Sequence, residues 1–373
     1  MQDIKIKKVD SAGDYSTEIT FEAKEIDYLN EDLIKSLFIG QKSEQPEKTV
    51  KLFDIPTSQT GVQHDVVAIY DNAGIPPIMH RFTKTTNKEL FGGSDKVRPA
   101  FIIGGEEYDE IYISVYENCE INGKPYSLPH MKAWVNITND DAAKACFSKG
   151  DGWHLMTAPE WGLLANISHK LGTLPHGNTS RGRYHADGAE NGEVYDDYYT
   201  LTGSGPATWT HDHTPEGVHD LCGNHWEMLR GLRIRNGRLQ AAENNDAALD
   251  IDLTPEGDGW QPITDDNGNS VSVSVDGGIT ITTESEIEQD YTGDCWEDVS
   301  VDCESEQLKE LALFAGEPKA YCYIDSTEGE YFPIRGGGWD DGANAGVFCT
   351  NLAHPRSIVS SLIGFRSAYF KKN

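Results

Sequence analysis

A chain of 373 residues with 38% hydrophobic residues, 8 Trp, 16 Tyr and 12 Phe has ample material for a core, which excludes disorder along its whole length. A net charge of −30 excludes nucleic acid as a partner, because a polyanion is held by clustered Lys and Arg that this chain lacks. The plainest role of so many carboxylates is to keep the surface solvated.

The first residues, Met1 to Lys8, include basic side chains but no apolar run follows, so no signal peptide is expected. The longest apolar patches, such as Val66 to Tyr70, are strand-sized, so no membrane span is expected either. The seven cysteines (Cys119, Cys146, Cys222, Cys295, Cys303, Cys322 and Cys349) are odd in number and lack CxxC spacing. That pattern fits reduced thiols of a protein made in the cytoplasm, with Cys295 and Cys303 as the one candidate pair.

Residues 1–95 read as a separate, small β-rich domain for attachment or oligomerisation. Ile19 to Ala23 alternates with a period of two, and Val66 to Tyr70 is a buried-strand run ended by Asp71-Asn72-Ala73-Gly74. A short helix is expected from Asn30 to the stop at Gly40. Pro76-Pro77 and the stretch Gly92 to Asp95 mark the approach to a boundary.

From residue 96 to 373 the texture is that of a second domain. Ile111 to Tyr116 alternates as a strand. Asn139 or Asp140 caps a helix through Ala142, Ala143, Cys146 and Phe147 that stops at Gly150. Thr157 and Glu160 make a capping box for a second helix, which turns Trp161, Leu163, Leu164 and Ile167 inward. Residues 171–208 are rich in Gly, Asn and Tyr and read as loop. Residues 242–308 form an acidic insertion with one hairpin, Val271 to Val275 and Ile279 to Thr282, joined through Asp276-Gly277-Gly278.

Three segments carry a recognisable pattern: Gly152-Trp-His-Leu-Met-Thr-Ala-Pro-Glu-Trp161, Gly217-Val-His-Asp-Leu-Cys-Gly-Asn-His-Trp-Glu-Met228, and Arg335-Gly-Gly-Gly-Trp339 closed by Ile363-Gly-Phe-Arg-Ser-Ala368. In that order they resemble the formylglycine-generating-enzyme family, whose fold is an elaborated C-type lectin fold. Physically they are scaffold: Trp161, Trp226 and Trp339 bridge core and loops, and Arg335 and Arg366 are expected in buried ion pairs. The oxidative chemistry of that family needs a cysteine pair shortly after the glycines of the last motif. Here Gly338 is followed by Trp339, Asp340, Asp341 and Gly342, and Cys349 stands alone.

The last segment, 335–368, is also similar to the variable region of the variable proteins of diversity-generating retroelements, where template adenines are copied with errors and AAY codons become NNY codons. NNY codons cannot encode Lys, Glu, Gln, Met or Trp, and none of these occurs between Asp340 and Ile363. The positions that the resemblance makes variable and ligand-binding are Gly338, Asp340, Asp341, Asn344, Cys349, Thr350, Asn351, Ala353, His354, Ile358, Val359, Ser360, Ser361 and Leu362.

The resemblance implies an α+β protein. A C-type-lectin-type domain of the formylglycine-generating-enzyme-like kind would follow the small β-rich domain. It implies a non-enzymatic receptor-binding protein with no cofactor, acting on a virion tail or another extracellular surface. The partner would be a host or target cell-surface receptor, met by a homo-oligomer such as a trimer. An oxidative enzyme is the alternative. Structural calcium could be held by Asn224 and Glu227. His211, Asp212, His213, His219 and His225 suggest zinc by composition. His219 and His225, however, fall where the family carries Tyr and Val, so no metal site is assigned there.

Overall fold

The computed structural model describes the strands Ile4–Val9, Tyr15–Phe21 and Thr49–Asp54, and then residues 64–71, 73–313 and 320–372. The helix expected between Asn30 and Gly40 lies outside the described residues. The protein is mostly β, with few helices and long ordered loops.

Ile4–Val9 and Tyr15–Phe21 pair as an antiparallel hairpin, so the alternation at Ile19 does mark a strand. A six-stranded sheet runs in the order Trp153–Leu155, Ser367–Tyr369, Glu110–Ser114, Ile78–Thr83, His64–Ile69 and Thr49–Asp54. This order corrects the boundary expected at residue 95. Ile78–Thr83 pairs from Met79 to Thr83 with Glu110–Ser114, with Phe82 opposite Ile111. Met79 and Phe82 are fully buried, so strands from both sides of residue 95 share one sheet and one core. The Pro and Gly stretches that mimic a linker are loops within it.

The helix Ala158–Leu171 forms where its capping box requires. The Thr157 amide donates to Glu160 Oε2 at 2.9 Å, and Glu160 also accepts from Asn245 and faces His154, so the cap is buried. Trp161, Leu163, Leu164 and Ile167 all point into the core. A Cβ on Gly162 would lie 2.0 Å from the Glu310 carbonyl, so glycine here lets the short helix Glu306–Glu310 approach backbone to backbone. The helix Asn139–Phe147 is capped by Thr138 and not by Asn139 or Asp140: Thr138 Oγ1 accepts from the Asp141 amide.

A second, twelve-stranded sheet carries the last segment. Its main path begins with Tyr291–Cys295, passes through Tyr321–Asp325, Gly346–His354, Glu330–Gly336, Leu232–Arg235 and Arg238–Ala241, and ends in Ser272–Val275, Ile279–Thr282 and Ser300–Val301. The expected hairpin is present with Val275 opposite Ile279. The acidic insertion therefore supplies strands at both ends of this sheet. The sheet curls, and the chain crosses between its ends through Trp296–Asp298; Trp296 is buried and its indole N–H donates to the Phe348 carbonyl at 2.8 Å. All seven cysteines are thiols, and Cys295 is not joined to Cys303.

Candidate ligand-recognition face

The last segment is held by charged groups that never reach solvent. Arg366 is fully buried and clasps Glu227, with Nε donating to Oε2 at 2.6 Å. Arg335 is equally buried but meets no carboxylate among the described residues, which corrects the ion pair expected of it. Its guanidinium donates instead to the carbonyls of Cys349, Leu311 and Ala312 at 3.0, 3.3 and 3.2 Å. Gly336 and Gly337 both have positive φ, at 92° and 85°, and a Cβ on Gly337 would meet Ala345 at 2.6 Å. The chain thus turns out of the sheet at 337–345 and re-enters as Gly346–His354.

The structure divides the fourteen expected ligand-binding positions. Asp340, Val359, Ser361 and Leu362 are exposed, Val359 at 53% and Leu362 at 42%. Asp341, Asn344, Ala353, His354, Ile358 and Ser360 are half-buried. Gly338, Cys349, Thr350 and Asn351 are buried. The reason is the register. Gly346–His354 is an inner strand flanked on both sides, so Thr350, opposite Cys322 and Arg335, faces the core. Cys349 is covered too, and burial together with nearby Asp341 pushes its thiol well up. Ile358 packs against the main core from the loop, whereas Leu362 does not.

Trp339 is half-buried and lies outside the main core cluster. Its ring stacks on Tyr198 at 4.3 Å, and the Arg181 guanidinium stands 4.8 Å over it. Tyr199 donates its hydroxyl to the Ser361 carbonyl at 3.0 Å, so the loop 171–208 braces the loop 355–362. The Trp226 amide donates to the Leu362 carbonyl at 2.9 Å, and its ring lies 6.3 Å from Tyr323. Tyr321 and Tyr323 are half-buried on the opposite side of a strand whose Cys322 and Ile324 are fully buried in the core. These aromatics were missed in the sequence, although the alternation Tyr321-Cys-Tyr-Ile-Asp325 is a readable signal.

Beneath this face is a buried polar network. Asn224 Nδ2 donates to Glu117 Oε2 at 3.1 Å, and His225 Nδ1 lies 3.1 Å from the same oxygen. Asn224 Oδ1 accepts from Thr200 and Asn178. With Glu227 held by Arg366, both residues expected to take calcium are committed to protein partners, which does not fit that site. The histidines do not converge either: His225 stacks on Tyr199, His219 lies beside Tyr116, and His211 packs against His80. Among the described residues no group of three or more His, Cys, Asp or Glu is placed to hold a metal ion.

No family model matches this chain, and no curated protein matches it. Among solved structures, one named Major Tropism Determinant U1 Variant aligns over 80% of this chain at 12% identity with a TM-score of 0.28. The chain spans 65% of the length of that structure. No helix among the described residues is long and apolar enough to cross a membrane.

Proposed function

We propose that this chain is a ligand-recognition protein that presents the exposed and half-buried side chains between Asp340 and Leu362 on a rigid lectin-type scaffold and does no chemistry on what it binds. More particularly, we read it as a variable protein of a diversity-generating retroelement that recognises a host or target cell-surface receptor from a virion tail or an extracellular surface. The observation that carries this is the division within the last segment. Arg335, Phe348, Leu352, Phe365 and Arg366 are buried, while Asp340, Val359, Ser361 and Leu362 stand in solvent between them.

Val359 and Leu362 are two of the five large hydrophobic side chains exposed among the described residues, and they lie three positions apart. Covering the exposed part of each against a partner would contribute about 1 kcal/mol, a reason to expose them that a solvated loop lacks. The bracing by Tyr199 and Trp226 limits the ordering entropy lost on binding. Weak single sites are compensated by display in several copies, and a homo-oligomer such as a trimer is part of the proposal. The oxidative-enzyme reading is disfavoured by Cys349, whose buried thiol is held protonated.

The test is a display library in which Asp340, Val359, Ser360, Ser361 and Leu362 are randomised together. Most members should remain folded, and selection against an unrelated protein should yield binders whose specificity follows these positions. A library that is largely unfolded, or folded but barren, contradicts the proposal.

A further inference from the structure

We propose that Tyr291, Tyr321 and Tyr323 form a constant, cation-accepting half of the recognition face, and that the partner is a protein surface bearing lysine or arginine side chains. This rests on the recognition reading above and names the chemistry of its partner. It also assigns a role to the end of the acidic insertion, which the motifs of the last segment leave unexplained.

The three rings belong to neighbouring strands, Tyr291–Cys295 and Tyr321–Asp325. Tyr291 is 55% exposed, and Tyr321 and Tyr323, both half-buried on the same side of their strand, have rings 4.7 Å apart. Opposite Tyr323 the neighbouring strand has Gly293. A Cβ there would come within 2.6 Å of Tyr321 and 2.7 Å of Tyr323, so the ring pair rests on bare backbone. The patch is continuous with the variable segment. Tyr323 is in register with Asn351, and Trp226 bridges from Tyr323 to the Leu362 backbone.

The charged groups that act on the rings of Tyr321 and Tyr323 are carboxylates. Asp294 lies on the edge strand beside them, and Asp341 is near enough to Tyr323 to help raise its hydroxyl pKa, with Asp340 exposed alongside. Burial is the larger cause of that rise, so the ring stays neutral and keeps its electron-rich face. A lysine or arginine is drawn by both the ring quadrupoles and the carboxylates, and a net charge of −30 steers it from a distance. The loop 171–208 already makes such contacts, with Arg181 over Trp339 at 4.8 Å and Lys132 over Tyr195 at 4.7 Å. A neutral sugar would gain from the rings but not from the carboxylates.

The experiment measures binding of the full chain, by fluorescence polarisation at about 0.15 M salt, to a lysine-rich peptide, its fully acetylated counterpart and a linear mannose oligomer. The lysine peptide should bind at least about tenfold more tightly than either of the others. The variant Tyr291→Ser/Tyr321→Ser/Tyr323→Ser, which leaves the net charge unaltered, should lose at least about tenfold. Glu284→Gln/Glu286→Gln/Glu288→Gln, which removes exposed charge elsewhere in the insertion, should lose less than about twofold. If the triple tyrosine variant does not fold, Tyr291→Ser alone should still lose about threefold. Equal losses from the glutamate and tyrosine variants would mean bulk charge attraction and would overturn the proposal, as would preference for the mannose oligomer or no lysine-peptide binding. Val359→Ser/Leu362→Ser should leave the peptide affinity within about twofold while changing the affinity for a library-selected target. A working variable segment with indifferent tyrosines sinks only this inference, whereas a variable segment without influence on any target sinks the reading beneath it.

Discussion

Arg366 and Glu227 meet as a two-pronged ion pair, both side chains essentially without solvent contact, and so lock the closing motif of the chain onto the motif that ends at Met228. The same guanidinium donates to the carbonyls of Ser114 and His219 at 3.0 Å each, which places one charge at the junction of the two sheets.

Removing one member leaves the other charged and unpaired in the core. Glu227→Gln or Arg366→Met should therefore cost about 3–5 kcal/mol in denaturant unfolding, far more than an exposed pair such as Lys132–Asp196. A loss below about 1 kcal/mol would show that the pair does not anchor the segment.

Stability should fall as pH rises through neutrality. Burial pushes the Asp220 carboxyl up to about 7, with the charge on Glu117 adding to the push. A folded carboxyl pKa above its unfolded value contributes stability that is full below about pH 4 and is lost as pH rises through about 7. Asp220 also sits at a φ of 62°, which Asn tolerates well. Asp220→Asn should therefore gain stability relative to the parent at about pH 8, and that advantage should be much smaller at about pH 5 and gone below about pH 4. An identical difference at both pH values would refute this assignment.

A chain beginning at residue 97 should fail to give a cooperative melt. It would lack Ile78–Thr83, an inner strand of the six-stranded sheet whose Met79 and Phe82 are fully buried. A soluble fragment with a sharp transition would restore the separable domain that the sequence suggests.

Local signals were the legible part of the sequence. Thr157 and Glu160 located a helix start to the residue, and Asp276-Gly277-Gly278 located a hairpin, because each depends on a few adjacent side chains. The helix Asn87–Phe91 carries the same capping box in Thr86 and Glu89, with Gly92 closing it, but its five residues bury too little to leave a periodic pattern. Partnership between strands was not legible: nothing in Ile78–Thr83 announces Glu110–Ser114 as its neighbour. The same blindness affected the site. Cys349 and Thr350 read as display positions by motif alone, and only the flanking strands reveal that both are covered.

Ile358 and Leu362, alike in size and expected to be displayed together, should separate. Leu362→Asn should change stability by no more than about 0.5 kcal/mol, because the side chain is 42% exposed. Ile358→Asn should cost about 1–3 kcal/mol, since Ile358 packs on the core. Phe365→Ala, at a fully buried ring, should cost about 3–5 kcal/mol. Equal losses for Leu362→Asn and Phe365→Ala, measured by urea denaturation, would mean that the loop is core and not display.

The most direct measurement for the recognition account is deep sequencing of the codons for residues 335–368 across a natural population carrying this gene. Substitutions are predicted to concentrate at Asp340, Val359, Ser360, Ser361 and Leu362, with Trp339, Phe348, Leu352, Phe365 and Arg366 unchanged, and with Cys349 and Thr350 confined to small side chains that fit their covered positions. Substitutions spread evenly over the segment, or no excess over the rest of the gene, would contradict it.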